Sequence, residues 1–112
     1  MGQYFNLFNS NNDGKLAISS NVFTSLSSDV LNDLYNDEQY SSMILKSYDK
    51  KESKIKVNLE KDKVNILVSI IITKDADLKT LIETIKERIY STLYRSTEIS
   101  NINIDVDVLL TV

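Results

Sequence analysis

Lys63–Val112 reads KVNILVSIIITKDADLKTLIETIKERIYSTLYRSTEISNINIDVDVLLTV, and its hydrophobic period changes twice. Val64, Ile66, Val68, Ile70 and Ile72 alternate with Asn65, Leu67, Ser69, Ile71 and Thr73. Period-two spacing rich in β-branched residues predicts a half-buried strand, with the alternation blurring near Ile71. Asp75 and Asp77 then supply helix-start chemistry, because a carboxylate accepts from free backbone N–H groups and suits the positive end of the helix dipole. Leu78, Leu81, Ile82, Ile85, Ile89 and Leu93 recur at helical spacing, with Lys79, Glu83, Lys86 and Glu87 on the other side. Ile102, Ile104, Val106, Val108 and Leu110 alternate again, against Asn103, Asp105, Asp107 and Leu109. The stretch is therefore strand, amphipathic helix, strand. A helix of about 19 residues is about 28 Å long, and a strand of about ten is about 33 Å, so the helix can lie along both strands.

Upstream, Lys54–Glu60 (KIKVNLE) predicts a strand with Ile55, Val57 and Leu59 inward, joined to the long strand by an antiparallel turn over 60–63. Asn36–Ser53 carries no clear period. Tyr40, Met43–Leu45 and Tyr48 suit a short strand or an irregular cover, and DKKES a loop. Ser19 or Ser20 caps a helix with Val22, Phe23, Leu26, Val30, Leu31 and Leu34 on one stripe. Its serines are poor helix formers, so this helix depends on packing. Lys15–Ser19 (KLAIS) is a short strand. Asn9–Gly14 (NSNNDG) is turn-like, and Met1–Phe8 is an aromatic leader whose Tyr4, Phe5, Leu7 and Phe8 suit one helical turn. The expected organisation is a leader and linker over 1–13 and a single domain over 14–112. The expected fold is α+β: a β-α-β-β-α-β two-layer sandwich, a four-stranded sheet with two helices on one face, in the split arrangement of ferredoxin-like folds.

Composition removes whole classes of chemistry. With no Cys there are no disulfides, thiol nucleophiles or sulfur-ligated metals, and with no His the commonest catalytic base and metal ligand is missing. Two glycines, Gly2 and Gly14, cannot build a glycine-rich phosphate loop. Net charge is −3, with the acidity in residues 1–53 and a balance of charge in 54–112, so no basic stripe suits nucleic acid or anionic lipid. No apolar run has the length of a membrane span. No basic region precedes an apolar core at the N-terminus, so no secretory signal is expected and the chain is expected in the cytoplasm.

Few residues suggest chemistry. Asp105 and Asp107 point one way on a strand and could hold a hard cation with Glu60 or Asp62. Alternating acids on a wet sheet face more commonly serve solubility. No spacing singles out a Ser–Lys pair around Ser69, nor a substrate clamp from Arg88 and Arg95. Base stacking lacks an aromatic pair on the sheet, and Tyr90 and Tyr94 are expected to flank the core. No catalytic, cofactor or metal residue is assigned, and the chain is not expected to be an enzyme. The candidate interaction surface is Leu67, Ile71 and Leu109, out of phase with the core residues of their strands and set among Lys56, Ser69, Asp105 and Asp107. An apolar patch with a polar rim is a contact-site signature. The Tyr4, Phe5 and Phe8 segment is a second candidate, as a docking peptide or a cover for that patch.

GKLAIS at Gly14–Ser19 followed by Val22 resembles the opening G-x-I-x-I-S-x-x-V of the alkaline shock protein (Gls-type) family of Gram-positive envelope stress proteins. The V-x-I-x-V-x-I strand, the helix with Leu78, Leu81, Ile85 and Ile89, and the closing V-x-V-x-V strand at 101–108 are similar too. The resemblance spans about residues 14–112 and implies an abundant, non-enzymatic protein that self-associates and is held near the membrane by an anchored partner. The expected function is thus an envelope-homeostasis scaffold, self-associating or partner-docking, without direct membrane span or nucleic acid. The alternative is a small α/β nucleic-acid-binding or ligand-binding module.

Overall fold

The structure, a computed structural model, describes residues 4–7 and 16–112, with side chains from residue 19 onward. In chain order these residues form β1 (Tyr4–Leu7), β2 (Leu16–Ser19), α1 (Ser20–Asn36), β3 (Ile44–Leu45), β4 (Ser47–Tyr48), β5 (Lys51–Glu52), β6 (Lys54–Leu59), β7 (Val64–Ile72), α2 (Leu78–Thr97) and β8 (Ile102–Thr111).

The fold is α+β, and β7 is its axis. β6 and β3 pair antiparallel with one edge of β7, and β8 pairs parallel with the other. The turn into β7 is closed by Glu60 N–H donating to Lys63 O at 2.8 Å. Val64, Ile66, Val68, Ile70 and Ile72 are all buried and share one core with Phe23, Val30, Leu31 and Leu34 of α1 and Leu81, Ile85, Ile89 and Leu93 of α2. Each such side chain contributes about 1.5–3 kcal/mol on leaving water, which settles both helices on the same face of the sheet.

The four-stranded sheet and the pair of helices follow the sequence expectation, but one strand has changed place. β2 does not enter the sheet. It pairs antiparallel with β1 in a separate ribbon, Tyr4 opposite Ser19 and Leu7 opposite Leu16. β7 has only two edges, and the α2 crossover lays β8 directly beside it, so no split lane is left for β2. Tyr4–Leu7 is accordingly extended rather than a helical turn. Phe8 and the expected turn over 9–14 lie outside the described residues.

The fourth member of the sheet is β3, and it shares a lane with β6. Leu45 stands opposite Ile71 and Lys54 opposite Ser69, so β3 and β6 are two pieces of one edge strand. Residues 46–53 leave that lane as a hairpin, β4 against β5, turning at Asp49 (φ 46°) and Lys50 (φ 68°). Two successive positive φ angles are the requirement of a tight type I′ turn. Ser53 closes the base: its N–H donates to Lys46 O at 2.9 Å and its Oγ to Leu45 O at 2.8 Å.

The helices are fixed at their ends by side chains. Ser19 caps α1, accepting from Asn21 N–H at 3.2 Å. Asp77, not Asp75, caps α2, accepting from Thr80 N–H at 3.3 Å and Thr80 Oγ1 at 2.9 Å. Arg88 ties the end of α1 to α2: its guanidinium lies 5.2 Å from the Tyr40 ring centre and 3.8 Å from Asp37. The Tyr40 hydroxyl meets Thr84 Oγ1 at 3.3 Å.

Candidate interaction surface

The sheet's second face carries no helix. Register sets its side chains in rows across β6, β7 and β8: Asn58–Asn65–Asn103, Lys56–Leu67–Asp105 and Lys54–Ser69–Asp107. One margin of the face is therefore basic and the other acidic, with Leu67 between them. Leu67 is 39% exposed. Lanes about 4.8 Å apart put the backbones of Lys56 and Asp105 about 10 Å apart across Leu67, and no ion pair joins them. The ion pair among the described residues is Arg88–Asp37, elsewhere. Asp105 accepts from Asn103 Nδ2 at 3.0 Å, and Lys54, Lys56 and Asp107 are solvated.

The other end of this face is closed. Ile71, expected on the patch, is fully buried, and Ser69 is buried beside it. Leu45 and Leu110 flank Ile71 in register. Lys50, Lys51 and Glu52 of the hairpin share a hollow of about 410 Å³ with Lys54 and Leu109, so the hairpin stands over this end of the sheet. The β7–β8 register shifts between Ile70 and Ile71, where Leu109 has no partner. An extra residue puts the bulged strand out of phase, so Leu110 of β8 joins Ile71 on the open face; β7 keeps its own alternation, and Ile71 breaks the polar phase as an apolar residue buried on that face. Leu109 is half-buried. Of the three sheet residues expected at the surface, only Leu67 stands out from it. Tyr4 and Phe5 lie on β1, and their side chains, like Phe8, lie outside the described residues.

β8 is an open edge of the sheet, pairing only with β7 among the described residues. Val64 N–H donates to Asn101 O at 3.0 Å, and a parallel ladder alternates from that bond. Asn103, Asp105 and Asp107 therefore turn their backbone groups to β7, while Ile104, Val106 and Val108 turn theirs outward. Above this edge, on the helix side, Ile102, Ile104, Tyr90 and the stems of Glu83 and Lys86 line a groove of about 410 Å³. Sequence reading passed over this groove, because it needs β8 placed under the outer flank of α2.

The remaining candidates form no reactive constellation. Among the described residues no group of three or more His, Cys, Asp or Glu can hold a metal ion. Glu60 accepts from Asn65 Nδ2 at 2.8 Å, at the far end of β7 from Asp107. Ser69 lies opposite Lys54 in register, but no side-chain hydrogen bond joins them. Arg88 is spent on Tyr40 and Asp37; Arg95 lines a shallow groove between the helices with Asp33, Glu87 and Arg88. Tyr90 and Tyr94 do not flank the core. They are exposed and stack on each other at 6.2 Å and 10°, with the Tyr90 hydroxyl donating to Ser100 O at 3.1 Å. Among the described residues two groups depart from ordinary titration. Burial raises the Tyr35 phenol, partly offset by a hydrogen bond with Ser53, and the Thr80 hydrogen bonds lower the Asp77 carboxyl.

No family model, no curated protein and no solved structure matches this chain. No helix among the described residues is long and apolar enough to cross a membrane.

Proposed function

We propose that the chain is a non-enzymatic scaffold that self-associates through the open sheet face around Leu67. One observation carries this: each charged row of that face is complementary to itself reversed. A second copy, turned half a revolution about the direction of β7, sets Leu67 on Leu67, Lys56 over Asp105 and Lys54 over Asp107. The Asn58–Asn65–Asn103 row meets its own reverse in the same way. This is the self-complementary geometry of a twofold interface.

The contact is weak by size. Three lanes about 14 Å wide and six residues about 20 Å long offer about 300 Å² per copy, below the standard interface. Exposed ion pairs add about 0.2–1 kcal/mol each. The expected dimer dissociates at about 0.1–1 mM, a strength suited to an abundant, crowded scaffold. A setting at the cytoplasmic side of the envelope, with a membrane-anchored partner, is part of the proposal and rests on the alkaline shock resemblance. Sedimentation velocity from about 10 µM to about 1 mM tests self-association. Wild type should shift reversibly toward dimer, and Leu67→Lys should sediment as monomer throughout; a wild-type monomer across that range contradicts the proposal.

A further inference from the structure

We infer that the outer edge of β8 is a second docking site, which takes an extended segment of a partner protein bearing basic side chains at alternate positions with aliphatic residues between them. The backbone groups of Ile104, Val106 and Val108 face outward in phase, a template for one added strand. Asp105 and Asp107 lie on the open face of the same edge and are exposed. Residues of an added strand directly opposite them are about 4.5–5.5 Å away at Cβ, the range in which opposite charges stabilise and like charges repel. The intervening side chains of the added strand fall on the helix side, where the Tyr90–Ile102–Ile104 groove offers them apolar cover.

The same residues disfavour a second copy of the chain in the central registers. Antiparallel pairing of β8 with its own twin, centred on Val106, sets Asp105 against Asp107; centred on either aspartate, it sets that residue against itself. β6 carries the right alternation, with Lys54 and Lys56 between Ile55 and Val57, but α1 packs on it. Two helices side by side need about 18–20 Å, whereas three sheet lanes repeat every about 14 Å. A whole copy joined edge to edge would drive its α1 into α2. A free extended segment meets no such obstacle, so the occupant is a strand from another protein.

The test uses the whole chain at about 20 µM, below the range of open-face association, with the peptide Thr-Lys-Val-Lys-Val-Lys-Thr as probe. In amide NMR titrations the Ile104, Val106 and Val108 signals should move saturably and their exchange with solvent should slow. Asp105→Lys/Asp107→Lys should weaken binding at least tenfold and gain binding to the counterpart peptide with Glu in place of Lys. Val106→Pro removes an outward donor while leaving the bonds to β7, and should also abolish binding. Asp105 and Asp107 serve both sites, so Lys56→Glu separates them: it disrupts the open-face dimer and should leave peptide affinity within about twofold. Shifts centred on Leu67, Lys54 and Lys56, or unchanged binding by the charge-reversed variant, would overturn the assignment. So would β8 amides that respond to protein concentration alone, which would mark a second copy as the occupant.

Discussion

Ser27 sits in the middle of α1 with no exposure and a hydroxyl that has no hydrogen-bond partner. A buried unsatisfied hydroxyl costs about 1–3 kcal/mol, and Ala is the better helix former. Ser27→Ala should therefore stabilise the chain by about 1–2 kcal/mol, read as a higher urea midpoint at unchanged slope; a lower midpoint would show that the hydroxyl is engaged. Two other residues carry a pH dependence. The folded Tyr35 phenol titrates above the ordinary 10.0 because it is buried. The folded state then holds the proton more tightly than the unfolded chain, so stability is intact below pH 10 and falls as pH rises past it. Tyr35→Phe should flatten that alkaline loss in melting curves. Asp77 runs the other way: its folded pKa lies below the ordinary 3.8 because Thr80 donates to it twice. Its contribution is present above that value and is lost as pH falls through the lower, folded pKa. Asp77→Asn keeps a capping oxygen without the titration and should lessen the acid-side slope.

At the scale of elements, three of the described residues hold backbone conformations that glycine adopts more easily. Asp49 and Lys50 turn the β4–β5 hairpin at positive φ, and Glu98 ends α2 at φ 60°. A non-glycine residue there costs about 1 kcal/mol or more, so Lys50→Gly and Glu98→Gly should each raise Tm, by about 4–8 °C per kcal/mol for a domain near 100 residues. A fall in Tm for Lys50→Gly would mean that its side chain holds the hairpin over the sheet. The same elements mark what was legible. β7, α2, β8, β6 and α1 were readable because nine to twenty residues of one period, or a clean short alternation, overrule local noise. β4 and β5 were not, because two-residue strands have no period to read, and β3 stood only as one of two readings of Met43–Leu45. Ile71 misled because alternation reports which face a residue takes, not whether the chain folds back over that face.

At the scale of the molecule, the candidate site was half legible. Leu67 declared itself as an apolar residue in a polar phase, and Lys56, Asp105 and Asp107 declared themselves as solvated. Their arrangement did not, because it depends on β8 lying parallel beside β7, where the split topology would have placed another strand between them. That adjacency turns scattered charges into two dipolar rows. It also separates the two surfaces: the face is complementary to itself, while the edge repels itself and accepts a basic strand. The direct test of the central claim is a charge-reversal cycle in sedimentation velocity. Lys56→Glu alone and Asp105→Lys alone should each sediment as monomer at about 0.5 mM, because each sets like charges across the interface. Lys56→Glu/Asp105→Lys restores opposite charges between copies and should recover the wild-type dimer. A double variant that stays monomeric, or single variants that still dimerise, would contradict the open-face scaffold.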